Sequence, residues 1–104
     1  MIKIQSAEEF NKLIVENQFV LVDFYADWCG PCKMMGPVVE KFDSEIAGKV
    51  MVAKVNIDEN LDLTQSYHIT SIPTLLFFKD GKVVDSAVGY RSFDNLMDFY
   101  KKHN

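Results

Sequence analysis

The chain has 104 residues, 48% of them hydrophobic, and carries eleven basic against fifteen acidic side chains for a formal charge of −4. That length suits one domain over 1–104, eight Phe, four Tyr and one Trp supply a core without metal or disulfide staples, and no Lys/Arg cluster offers a nucleic-acid footprint. The opening MIKIQSAEEF lacks a secretory-type apolar segment and no stretch approaches a membrane span, so the expectation is a cytoplasmic protein with no membrane partner.

In chain order, Ile2-Lys3-Ile4 reads as a short strand. Ser6 with Glu9 forms an S-x-x-E capping box that opens a helix from Ala7 to about Asn17, with Phe10, Leu13 and Ile14 on one face. FVLVDFY, residues 19–25, is an apolar run of strand length, rich in β-branched and aromatic residues, and predicts a strand buried on both sides. Helical spacing then returns in Met35, Val38, Val39, Phe42 and Ile46, with Gly48 as a stop. Pro37 lies inside that pattern and, at a cost of about 3 kcal/mol, predicts either a kink or a helix that begins late.

VMVAKVNI, residues 50–57, is a further strand, and LDLTQSYHI, residues 61–69, a short helix. Residues 74–88 read as two strands joined at Asp80-Gly81, a strong hairpin signal. Ser92 caps a last helix that is amphipathic through Phe93, Leu96, Met97 and Tyr100. The order β-α-β-α-β-α-β-β-α predicts an α/β fold: parallel pairing early, an antiparallel pair late, and helices on the faces of one mixed sheet.

The only cysteines, Cys29 and Cys32, stand in Trp28-Cys29-Gly30-Pro31-Cys32, between the strand 19–25 and the next helix. Cys29 then falls at or just before a helix N-terminus, with Pro31 where the first turn tolerates proline. The unpaired N–H groups and positive dipole end there favour a thiolate, and Cys32 lies within one helical turn. A purely structural disulfide closing so small a loop contributes only about 2 kcal/mol. Zinc asks for about four ligands, and His68 and His103 lack the usual spacing. A Cys–His hydrolase leaves the second cysteine without a role. Reversible dithiol/disulfide exchange fits C-x-x-C in a βαβ setting best.

Asp23 interrupts a strand apolar on both faces, so burial should raise its pKa and make it a proton acceptor near neutral pH, unless it reaches solvent at the strand end. Lys54, within MVAKVNI, poses the same puzzle and by itself reads as a snorkelling surface residue. Trp28 reads either as core or as a contact residue beside the nucleophile. Sequence alone favours a trans Ile72-Pro73 bond, and Gly89 reads equally as a strand-end bulge or a point of close backbone approach.

These residues carry a resemblance. VDFYADWCGPCKMMGP, SIPTLLFFKDGK and AVGY are similar to three segments of the thioredoxin family, so the likeness spans nearly all of the chain. It implies a thioredoxin fold, a five-stranded mixed sheet flanked by four helices, acting as a monomeric protein-disulfide reductase. The resemblance further implies that Cys29 attacks a target disulfide and Cys32 resolves the mixed disulfide, with Asp23 assisting at Cys32 and Lys54 near Asp23. Trp28, Gly30, Pro31, Ile72, a cis Pro73 and Gly89 are implied to form the substrate-binding surface. No cofactor is bound; the Cys29–Cys32 disulfide is implied to be reduced again by an NADPH-dependent flavin enzyme, thioredoxin reductase. Gly30-Pro31 resembles the reducing members, whereas oxidases and isomerases of this fold usually carry histidine there. Those activities, and a binding subunit with an incidental dithiol, are the alternatives. Tyr25 and Ser71 depart from the commonest bacterial pattern, where tryptophan and glycine are frequent.

Overall fold

A computed structural model describes residues 1–104. The elements are β1 (Ile2–Lys3), α1 (Ala7–Glu16), β2 (Phe19–Tyr25), α2 (Gly30–Ile46), β3 (Met51–Asn56), α3 (Leu61–Ser66), β4 (Thr74–Lys79), β5 (Lys82–Val88) and α4 (Phe93–His103). The expected element order is thus observed, and the five strands form one mixed sheet in the order β1-β3-β2-β4-β5. Helical crossovers make β1, β3 and β2 parallel, while β4 runs antiparallel to β2. Asp80 and Gly81 both take positive φ, 52° and 82°, which matches the twist of a two-residue hairpin and sets β5 antiparallel to β4.

Alternation along the strands divides the core in two. Phe19, Leu21, Val52, Leu75 and Phe77 pack against Met35, Val39, Phe42 and Ile46 of α2 and Leu96 of α4. Val20, Val22, Phe24, Ala53, Val55, Leu76 and Phe78 pack against Phe10 and Ile14 of α1 and Leu63 of α3. Central β2 is therefore covered on both faces, which is the physical reason its residues are apolar at every position but Asp23. Phe10, Phe24, Phe42, Phe77 and Phe78 are sealed from solvent, each contributing roughly 1.5–3 kcal/mol through burial.

Ser6 and Ser92 cap α1 and α4 as read from sequence, accepting the Glu9 and Asn95 amides at 3.1 and 3.2 Å. Helix α2 ends at Ile46, with Ala47 left-handed at φ 51° and Gly48 following shortly after the end as expected. Two local details differ from the expectations. β1 stops at Lys3, although Ile4 still donates its amide to the Lys54 carbonyl at 2.9 Å. Helix α2 begins at Gly30 and runs through Pro37, so the late-start alternative is not what occurs. Pro37 is exposed, so water can satisfy the carbonyl left without its amide partner.

Candidate active site

Strand β2 ends at Tyr25, and four residues later Cys29 caps α2 in extended geometry. The Cys32 amide donates to Cys29 Sγ at 3.2 Å. Gly30 and Pro31 occupy the first two helical positions, where a missing N–H costs nothing. Cys29 and Cys32 are joined as a disulfide, with Cα atoms 5.2 Å apart. No acidic side chain lies in the first turn of this 17-residue helix to offset the positive end that faces Cys29. Both cysteines are largely buried in a small apolar cluster with Ala26, edged by Tyr25, Ile57 and Ile72.

The loop before β4 brings the second part of the site. The Ile72–Pro73 peptide is cis, against the sequence preference and in line with the resemblance. The Ile72 carbonyl oxygen lies 3.9 Å from Cys29 Sγ, and Ile72 makes no main-chain hydrogen bond within the chain. Gly89 donates its amide to the Pro73 carbonyl at 2.8 Å, tying the end of β5 to this loop. Its requirement for glycine comes from φ +88° and not from crowding, because an added Cβ would meet nothing within 4 Å. Gly89→Ala is accordingly expected to cost about 1–2 kcal/mol. A urea midpoint identical to wild type would refute that expectation.

Trp28 is 69% exposed, which rules out the core reading, and its indole Nε1 donates to Asp58 Oδ2 at 2.8 Å. Asp58 was not singled out by sequence reasoning, since nothing periodic links positions thirty residues apart. Met34, 64% exposed, and Tyr90, 49% exposed, are further exposed apolar side chains, two residues after Cys32 and one after Gly89.

Asp23 sits on the β2 face that α2 covers, beside Lys54 on β3 and Leu75 on β4. It is only 5% exposed, and its Oδ1 has no hydrogen-bond partner. Burial pushes the carboxyl up to about 7, with the Lys54 charge pulling the other way. Lys54 is half-buried rather than free in solvent. A hollow of about 400 Å³ opens beside Cys32, lined also by Tyr25, Ala26, Asp27 and Lys33. The histidines lie elsewhere: His68 follows α3 with φ 56°, and His103 Nε2 meets Asp85 Oδ2 at 3.0 Å. No three His, Cys, Asp or Glu side chains converge to hold a metal ion.

A family model described as Thioredoxin matches residues 1–102. A thioredoxin from Chlamydia caviae is 46% identical over 104 residues, covering all of both chains. One from Bacillus subtilis is 46% identical over 84 residues, 81% of each chain. Among solved structures, Plasmodium falciparum thioredoxin superposes with a TM-score of 0.91 at 35% identity over the whole of both chains. Oxidized mitochondrial thioredoxin 3 of Saccharomyces cerevisiae gives 0.90 at 33% identity, covering 98% of this chain and 94% of the other.

Proposed function

The chain belongs to the thioredoxin family of thiol-disulfide oxidoreductases, and we propose that it reduces protein disulfides through a two-step exchange carried by residues 1–104 as one domain. In the first step the Cys29 thiolate attacks one sulfur of a target disulfide. A Cys29–target disulfide forms and the other target sulfur leaves as a thiolate. In the second, the Cys32 thiolate attacks Cys29 Sγ, the Cys29–Cys32 bond forms, and the remaining target sulfur departs as a thiolate. Two electrons pass to the target, and the protons on its new thiols come from solvent and from the groups that deprotonate Cys29 and Cys32.

The observation that carries this reading is the Cys32 amide at 3.2 Å from Cys29 Sγ, at a helix end with no acidic side chain in its first turn. That donor and the helix dipole stabilise the thiolate more than the thiol. Asp23 accepts the proton from Cys32, directly or through water entering by the hollow beside it, and Lys54 tunes that acidity. Trp28, Gly30, Pro31, Ile72, Pro73 and Gly89 form the surface that meets the target. The unpaired Ile72 main chain can take an extended target segment as an added strand. The disulfide is returned to the dithiol by an NADPH-dependent flavin enzyme, thioredoxin reductase, with the protein a cytoplasmic monomer.

Insulin reduction coupled to NADPH through such a reductase tests the activity, and alkylation against pH tests its basis. Cys29 is expected to titrate below the value of about 8.5 for a free cysteine and to be alkylated ahead of Cys32. An unshifted Cys29 with no preference over Cys32 would overturn the proposal, and a strongly oxidising potential would favour an oxidase or isomerase.

A further inference from the structure

Tyr25 stands two residues after Asp23 on β2, so the two side chains share one face of the sheet. Their register partners on β3 are Asn56 and Lys54, which places the Lys54 stem alongside both. A lysine with so flexible a stem, next to a buried carboxylate whose Oδ1 is unpartnered, has every electrostatic reason to bond it. It does not: no ion pair within 4.0 Å joins Lys54 to Asp23. The ammonium instead stands over the Tyr25 ring, 5.5 Å from its centroid and within cation–π range.

From this geometry we infer that Tyr25 is a positioning residue for Asp23: its ring holds the Lys54 ammonium off the carboxylate, so that Asp23 remains able to take a proton. An ammonium bonded directly to Asp23 would lock it as a carboxylate far below neutral pH. An ammonium removed altogether would leave the carboxyl protonated through neutral pH. A charge kept nearby but out of bonding distance gives the intermediate setting, matching a carboxyl pushed up by burial and partly pulled back by Lys54. Tyr25 is thus more than a substitute for the tryptophan frequent at this position; what the position requires is an aromatic face.

The surroundings contain few other groups that could produce the same effect. β1 contributes Lys3, in register with Lys54 and held by Glu59 at 3.5 Å. β4 presents only Leu75 to Asp23, and α2 brings the Cys29–Cys32 pair. Asp27 and Lys33 line the outer hollow with Tyr25. None of these holds Lys54, so the ring is the one contact whose loss frees the ammonium.

The inference deepens the proposed role of Asp23, and its test is chosen to be independent of that role. The Asp23 carboxyl is titrated directly by carbon NMR in the reduced protein and in Tyr25→Leu, Tyr25→Phe, Lys54→Met and Tyr25→Leu/Lys54→Met. Removing the ring in Tyr25→Leu is expected to lower the Asp23 midpoint by about half a pH unit or more, the size of a part-exposed cation–π contact. Tyr25→Phe keeps the face and should keep the midpoint. In the Lys54→Met background the Tyr25→Leu substitution should have no effect. An unchanged or raised midpoint in Tyr25→Leu, or a fall that persists without Lys54, would overturn the inference. A midpoint that falls as expected while the resolution rate keeps its pH profile would uphold it and count against Asp23 as the proton acceptor.

Discussion

Cys32→Ser is expected to stop turnover of a protein disulfide while converting each chain to a stable covalent adduct with its target through Cys29. The two cysteines sit one helical turn apart at the start of α2, already close enough to be bonded, with the Cys32 amide directed at Cys29 Sγ. Serine at position 32 leaves that amide in place, so the first attack should proceed at close to its normal rate. The hydroxyl cannot displace the target sulfur, so the mixed disulfide persists. Cys29→Ser should lose both turnover and adduct, because the helix end then stabilises no sulfur anion. Mass spectrometry of the products, with and without reductant, distinguishes the two variants. Sustained turnover by Cys32→Ser would mean that an external thiol resolves the intermediate and that the second cysteine is not the resolving group.

The second large effect is expected at Asp23, and it has opposite signs for stability and for rate. The folded carboxyl titrates at about 7 against an ordinary 3.8, so the folded state holds this proton more tightly than the unfolded chain does. Stability from this group is therefore greatest below about pH 4 and is lost as pH rises to about 7, after which it changes no further. The gap of about three pH units corresponds to about 4 kcal/mol. Asp23→Asn cannot ionise, so it should be more stable than the wild type by about 3–4 kcal/mol at pH 8.5, with the gain fading to near zero at pH 4. Urea denaturation across pH measures this, and a gain independent of pH would show that burial does not disfavour the Asp23 charge. In stopped-flow kinetics at neutral pH the same variant should resolve the mixed disulfide more slowly while forming it at nearly the normal rate. Equal slowing of both steps would remove Asp23 from proton transfer. A buried acid with an unpartnered oxygen that lowers stability at working pH contributes nothing to packing that asparagine would not.

Much of the fold was legible in local spacing. Ser6 and Ser92 announced their helices because a capping hydroxyl acts on an amide three residues away. Asp80-Gly81 announced the hairpin because positive φ at two adjacent residues is needed there. The seven-residue run of β2 announced a central strand because only a strand covered on both faces drops the polar alternation. Pro37 misled in part, since its exposed position lets α2 continue through it.

The amino-acid sequence by itself settled the order of elements, the placement of two thiols at a helix start, and an acid out of place in an apolar strand. Those features depend on residues a few positions apart, the range over which capping, turn geometry and periodicity act. Only the tertiary structure set the cis Ile72–Pro73 peptide opposite Cys29, the Trp28 indole on Asp58, the Gly89 amide on the Pro73 carbonyl, and the Lys54 ammonium on Tyr25 rather than Asp23. Each of those contacts joins segments brought together by sheet order, and sheet order follows from how the two faces of β2 are covered, which no window of neighbouring residues contains.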